Sequence, residues 1–458
     1  MLGGNETYSY VLRNMVMPLV DFVARTPTRR YLRELEKSQW SGHAALQQLQ
    51  ENKLRSLVKH AYDTVPYYHR VFRDRDLKPD DIQSIDDLKK LPVIGKAEVR
   101  EQFDALISED YPRQRMIYGR TGGSTGEPIR FYTTPENRAW NMAARFLAWR
   151  WAGFELGDKF AQVFGSPLDE PAFESLKGKV EGKVKRRIYL NAFRMAEQTL
   201  EKFTNEMSRF KPEVIYGQAK SVALLAKFID DRGFSKMNLR SVIVDSEGLF
   251  EHEIKTIEKV FGCKIWWNYH NRENGTFGAE CSEHNGYHLF AQNHLFEFLR
   301  EGECVAPGEV GSIVITDLTN YAMPFIRYEI GDLGVFSDES CSCGRGLPMM
   351  RRLVGRTFEV LVSATGGFLF GDLSDLYTRF YEITRIKQYQ IVQESPTRIV
   401  VNVVPEKNYS QRDTEMIKKG VLSIMGDMVV EVKLVEKIPK SRSGKVQAVI
   451  RKFPIKFT

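Results

Sequence analysis

The chain has 458 residues, of which 42% are hydrophobic and 27% charged, with a formal net charge of +7. That length exceeds what one compact core fills, so two or more domains are expected, and the composition excludes a disordered chain. No uninterrupted apolar run approaches the roughly 18 residues of a membrane span, and the first residues lack the basic, apolar and small-residue series of a secretory signal, so no transmembrane segment is expected.

The stretch up to about residue 110 reads as a helical leader. Within Val11 to Ala24, the residues Met15, Val16, Met17, Leu19, Val20, Phe22 and Val23 suit either an interfacial helix or core packing, and Pro18 favours packing. Leu46, Leu49, Leu54, Leu57, Val58 and Ala61 follow helical spacing. Pro66 ends that helix, because the residue before a proline is pushed out of the helical region. From about residue 111, helices alternate with strands. A helix over Ala196–Phe210 is stopped by Lys211-Pro212, and a strand follows at Val214–Tyr216. Helices are predicted over Ser221–Asp231, closed by Gly233, and Glu251–Phe261, closed by Gly262. Strands are predicted over Ser241–Val244, Ile265–Trp267, Ser312–Thr316 and Pro324–Tyr328. This alternation predicts an α/β architecture, with sheets flanked by helices. A smaller α+β unit begins near Gly355, with strands at Arg398–Val404 and Met428–Val435 around a helix at Asp413–Ile424 closed by Gly426. The expected division is a large domain over 1–355 and a small one over 356–458.

Three short segments carry candidate chemistry. Thr121, Gly122, Gly123, Ser124, Thr125 and Gly126 form a loop whose backbone N–H groups and hydroxyls suit phosphates; a polar hairpin turn would also explain it. No Gly-Lys-Ser/Thr closes the loop, so it is not the P-loop of nucleotide hydrolases. In Tyr328-Glu329-Ile330-Gly331-Asp332, the Asp332 carboxylate can accept both hydroxyls of a ribose, although an ordinary strand-ending turn fits as well. In Pro439-Lys440-Ser441-Arg442-Ser443-Gly444-Lys445, the last lysine is a mobile point charge on a glycine-bearing loop, or part of a basic tail. The cluster Lys183, Lys185, Arg186 and Arg187 reads as a solvated loop, with a landing patch for acceptor phosphates as the sharper alternative. The basic excess is diffuse; it suits an anionic small substrate and gives no reason to expect nucleic acid.

Five cysteines in so long a chain make no disulfide framework, and a reducing cytoplasm is the natural compartment. Cys281, His288, Cys341 and Cys343 offer four ligands for a closed tetrahedral zinc site, with His284 as a rival ligand and ordinary buried thiols as the alternative.

The order of these elements resembles the adenylate-forming superfamily: a Ser/Thr/Gly-rich loop, Tyr269-x-x-x-Glu273, Tyr328-x-x-Gly331-Asp332, Gly355-Arg356, then Pro439-x-x-x-x-Gly444-Lys445. Within it the chain is similar to the phenylacetate–coenzyme A ligase family and its capsular polysaccharide biosynthesis branch. The leader segments Tyr31 to Trp40 and Val65-Pro66-Tyr67-Tyr68 share that likeness. The resemblance implies a ligase that activates a small carboxylic acid with ATP as acyl-AMP and passes the acyl group to coenzyme A, or to an amine or sugar acceptor. It implies that Thr121 to Gly126 hold phosphates, that Ser246 and Glu247 lie in a turn against adenine, and that Tyr269 stacks on adenine. It further implies that Glu273 holds Mg²⁺, Asp332 the ribose and Arg356 the ribose or phosphate, that Lys445 rides in on a mobile lid domain, and that the Cys/His quartet holds zinc. Three positions depart from the pattern: Glu127 replaces a lysine, His270 replaces a glycine, and Thr357-Phe358-Glu359 replaces an acidic pair. A catalytically impaired binding or scaffold relative in surface-polysaccharide assembly is the alternative reading.

Overall fold

The computed structural model describes residues 4–16, 18, 21, 26–121, 128–165, 175–192, 194–245, 248–249, 251–356, 361–364, 368–369, 385–439 and 449–453. A hairpin of β1 (Ile117–Arg120) and β2 (Arg130–Thr133) forms a small sheet of its own. Next come β3 (Phe160–Phe164), β4 (Arg187–Asn191), β5 (Val214–Gln218), β6 (Ser241–Asp245) and β7 (Ile265–Asn271), which pair in parallel in the order β4-β3-β5-β6-β7. Helices Glu197–Phe210, Ala219–Asp231 and Glu251–Phe261 alternate with them. All five residues of β6 are buried, as expected of a parallel strand covered on both faces. Gly233 and Gly262 follow their helices at φ +66° and +69°, and Lys211 takes the left-handed cap at φ +54° just before Pro212.

After β7 the sheet turns antiparallel. It continues through β8 (Gly275–Ala279), β9 (Tyr287–Leu289), β10 (His294–Arg300), β11 (Glu303–Cys304), β12 (Val310–Asp317), β13 (Tyr328–Ser337) and β14 (Met349–Arg356). The whole is a twelve-stranded sheet. Leader helices Thr28–Ser38, His43–Thr64 and Pro66–Asp74 are followed by single helical turns up to Glu101. Leu54, Tyr68 and Phe72 of the leader share one core with Phe277, Phe298 and Tyr328 of the antiparallel strands and with Phe325 between β12 and β13. Tyr68 Oη donates to the Pro324 carbonyl at 3.1 Å, and the Ile94 amide donates to the Arg327 carbonyl at 2.9 Å. Gln39 makes a clasp: its carbonyl accepts from the Gly346 amide at 2.9 Å, and its Oε1 accepts from Arg345 Nε at 2.9 Å and Trp151 Nε1 at 3.0 Å. A Cβ on Gly346 would lie 1.9 Å from the Ser41 carbonyl oxygen, so only glycine fits there.

Toward the C-terminus, β15 (Leu361–Val362) pairs with β16 (Phe368–Leu369). A separate sheet of β17 (Ile386–Ser395), β18 (Arg398–Pro405), β19 (Val429–Leu434) and β20 (Val449–Arg451) has the order β19-β18-β17-β20. The helix Gln411–Met425 carries the chain from β18 to parallel β19 and buries Ile417, Val421 and Met425 against Ile399, Val401 and Val403. The fold is therefore an α/β large sheet followed by a small α+β unit.

Two expectations are corrected. Pro324–Arg327 is not strand: Arg327 sits at φ +52°, and its guanidinium is spent on Glu297 (2.8 Å) and the Leu91 carbonyl (2.6 Å), so pairing begins at Tyr328. Gly331 does not end a strand: at φ +82° it forms an irregularity inside β13, where the register with β12 shifts between Ser312 and Val314.

Candidate active site

Several of the expected residues lie on or just after β6, β7 and β13, and a side-chain contact joins β7 to β13. Asp245, the last residue of β6, is 1% exposed and accepts the Tyr216 phenol at 2.7 Å. Burial and this carboxylate hold the Tyr216 phenol well above its usual range. His270 Nδ1 lies 3.6 Å from the same carboxylate. Ser246 and Glu247 come next but lie outside the described residues.

Tyr269 on β7 is buried, packs on Phe277 with ring centroids 5.0 Å apart, and donates its hydroxyl to Asp332 Oδ2 at 3.0 Å. Two residues expected around one nucleoside thus touch each other across 63 positions of sequence. Arg356, the end of β14, stands directly across from Asp332 in the strand register. Glu273 is 5% exposed and accepts the Tyr328 phenol at 3.3 Å. Burial, then Glu273, keep that phenol protonated.

Thr121 closes the base of the candidate phosphate loop: its backbone N–H donates to the Ile129 carbonyl, and its hydroxyl accepts from the Ile129 amide, both at 3.0 Å. Gly122, Gly123, Ser124, Thr125, Gly126 and Glu127 lie outside the described residues, as do Thr357, Phe358, Glu359 and Lys445. Beside Thr121 opens a cleft of about 330 Å³ lined by Tyr118, Arg120, Phe131, Thr133, Arg138 and Arg272.

Cys281, His288, Cys341 and Cys343 come together with all four ligand atoms within 4.8 Å of one another. Cys281 Sγ is 3.7 Å from Cys341 Sγ, and Cys343 Sγ is 3.2 Å from His288 Nε2. Zinc–sulfur bonds of about 2.3 Å and zinc–nitrogen bonds of about 2.0 Å at tetrahedral angles need edges of about 3.5–3.8 Å, so the quartet fits the ion after a small adjustment. Burial pushes the Cys281 thiol up to about 12 and the His288 imidazole down to about 4; a dication would offset the cost of buried thiolates and suits a neutral imidazole. His284 is outside the quartet, held by Glu280 at 3.2 Å and the Trp266 ring at 4.7 Å.

The basic cluster is more ordered than a solvated loop. Lys185 pairs with Glu181, Arg186 donates to the Gly157 carbonyl at 3.1 Å, and Arg187 to Gln162 Oε1 at 3.1 Å. Sequence reasoning missed Tyr216 and the three-arginine cleft. Their members sit on separate elements with no spacing that marks them.

The family model described as the CapK C-terminal domain matches residues 361–452. Phenylacetate-coenzyme A ligase of Thermus thermophilus is 28% identical over 329 residues, covering 69% of this chain and 72% of the relative. The enzyme of the same name from Escherichia coli is also 28% identical, over 330 residues. Protein CapK of Staphylococcus aureus is 21% identical over 437 residues, 93% of each chain. Among solved structures, 2-hydroxyisobutyryl-CoA ligase in its postadenylation state with an acyl-AMP aligns at TM-score 0.69 and 18% identity over 90% of both chains. O-succinylbenzoate coenzyme A synthetase from Bacillus subtilis, in complex with AMP, aligns at 0.53 and 14% over 73% of this chain and 67% of that one. The sheet and the small C-terminal unit share the fold of these adenylate-forming ligases. In sequence the chain is similar to the phenylacetate–coenzyme A ligases and, along nearly its whole length, to CapK.

Proposed function

We propose that the protein activates a small carboxylic acid with ATP and then hands the acyl group to a thiol or an amine. In the first half-reaction a carboxylate oxygen attacks the α-phosphorus, forming acyl-AMP and releasing pyrophosphate. In the second, the thiol of coenzyme A, or the amine of a sugar acceptor, attacks the acyl carbon and AMP leaves. The observation that carries this reading is the Tyr269–Asp332 contact at 3.0 Å, which joins an aromatic wall on β7 to a ribose acceptor within β13.

Asp332 accepts the ribose hydroxyls, Tyr269 forms one wall of the adenine site, and the turn at Ser246 and Glu247 forms another. Arg356 meets the ribose or the phosphates. Thr121 anchors the loop whose amides, through Gly126, hold the phosphates. Glu273 offers the single carboxylate that Mg²⁺ commonly takes from a protein when phosphates supply further ligands; the ion neutralises phosphate charge. Lys445, carried by the small unit over 356–458, meets the charge that builds up between carboxylate and phosphorus. Zinc held by Cys281, His288, Cys341 and Cys343 clips distant parts of the sheet. All five thiols are free, in keeping with a reducing cytoplasm.

ATP–pyrophosphate exchange across a panel of acids tests the reading. Lys445→Ala is expected to slow exchange about 100-fold or more, as loss of a transition-state contact does, with unchanged melting. A wild-type chain that exchanges with no acid would sink the proposal. It would leave the scaffold reading, which the closeness of His270 to Asp245 and the CapK likeness favour.

A further inference from the structure

The cleft beside Thr121 has no role in the scheme above. Arg120 comes from the end of β1, Arg138 from the first turn of the helix Pro135–Trp151, and Arg272 from the turn after β7. Three separate elements therefore aim guanidinium-bearing residues at one space of about 330 Å³, and no carboxylate lines it among the described residues. Among the described residues, no carboxylate forms an ion pair with Arg120 or Arg138. Arg138 is steadied by Thr133 Oγ1 at 3.3 Å. Burial and the nearby Arg272 cation both loosen its hold on its proton, so an anion entering the cleft relieves repulsion as well as gaining contacts.

We propose that this cleft is a subsite for a second anionic group, carboxylate or phosphate, on the acid that the enzyme activates, so that the substrate class is a dianionic acid. This rests on the adenylate-forming reading. Two features favour an organic anion over the triphosphate tail of ATP. The tail arrives with Mg²⁺, which needs oxygen ligands beside it, whereas the described lining of the cleft offers guanidinium groups. The cleft also has an aromatic wall of Phe131 and Tyr118, the latter 51% exposed, against which a carbon skeleton packs.

The test uses matched acids that differ by one anionic group: phenylacetate against 4-carboxyphenylacetate, butyrate against succinate, and glycolate against phosphoglycolate. Pyrophosphate exchange and calorimetry without ATP are run on the wild type, Arg120→Gln and Arg138→Gln. In at least one pair, the wild type is expected to prefer the dianion by about tenfold or more, as charge-assisted contacts allow. Each variant is expected to lose that preference while keeping its KM for ATP. A calorimetric preference without exchange would leave the subsite standing and remove the ligase reading. Exchange with no charge preference in any pair overturns the subsite alone. A raised KM for ATP in both variants, with acid selectivity unchanged, also overturns it and assigns the cleft to the triphosphate.

Discussion

In the parallel part of the sheet, each central strand is followed closely by a helix that covers it: β5 by Ala219–Asp231, β6 by Glu251–Phe261. Its core of Ile215, Val222, Leu225, Val242, Val260 and Phe261 comes from one stretch of chain. The antiparallel part is closed from far away. Tyr68 reaches Pro324 across 256 positions, Gln50 reaches the His294 carbonyl across 244, and Lys53 the Gln292 carbonyl across 239. Buried polar side chains are gathered there too, among them Asn274, His288, Asn293, His294, Asp317 and Asn320. The parallel part draws stability from local apolar packing, while the antiparallel part depends on distant ties whose partners must all be present. Asp332 and Glu273 both stand in or beside this long-range half, so its ties set the geometry of the proposed nucleotide site.

The comparison breaks most sharply at the metal quartet. The wild type is expected to hold about one zinc per chain by elemental analysis, and Cys341→Ser to lose it at a cost of more than about 3 kcal/mol, since structural zinc binding feeds directly into folding. A variant that melts like the wild type would return the four residues to packing groups. Leu225→Ala in the parallel half is expected to cost about 2–5 kcal/mol through the cavity it leaves, with the KM for ATP unchanged in the folded fraction. A shifted KM would show that the two halves are not energetically separate. Asp332→Ala is expected to raise the KM for ATP about 10- to 100-fold, because it removes the proposed ribose acceptor and leaves the Tyr269 hydroxyl without it; an unaltered ATP titration would place the ribose elsewhere. The smallest effect concerns Lys53, which burial pushes down to about 8 from an ordinary 10.5. The folded chain therefore holds fewer protons than the unfolded one between those values. Measured against Lys53→Met, wild-type stability should rise by on the order of 1 kcal/mol between pH 8 and 10. A flat difference in chemical denaturation would show that the leader tie carries no such charge penalty.

The same contrast explains what the sequence made legible. Glu251–Phe261 was readable at both ends because its buried Ile257, Val260 and Phe261 keep helical spacing and Gly262 stops it. The Cys/His quartet was readable because cysteine is scarce and its pairs are short-spaced. Pro324-Phe325-Ile326-Arg327 misled because an apolar run looks like strand, and nothing local announces that Arg327 turns to meet Glu297. Gly331-Asp332 looked like a turn because its chemistry is turn chemistry; only β12 alongside makes it a mid-strand irregularity. Tyr216 beside Asp245, and the arginines of the cleft, are brought together by packing between elements, which leaves no periodic trace in the chain.

The Gln39 clasp bears on the order in which the protein can be made. Gln39 leaves the ribosome early, but Arg345 and Gly346 follow about 300 residues later, roughly 15–60 s at ordinary rates of synthesis. For most of that interval, until residues 294–337 have been made, the leader helices have no β10, β12 or β13 to pack on, and their apolar faces stay open to solvent or to chaperones. The parallel strands have their covering helices and can settle meanwhile. Nascent chains arrested before His294 should therefore be cut by protease within the leader while the segment from β5 to β7 resists. Protection of both segments in such chains would show that the leader docks without its clasp.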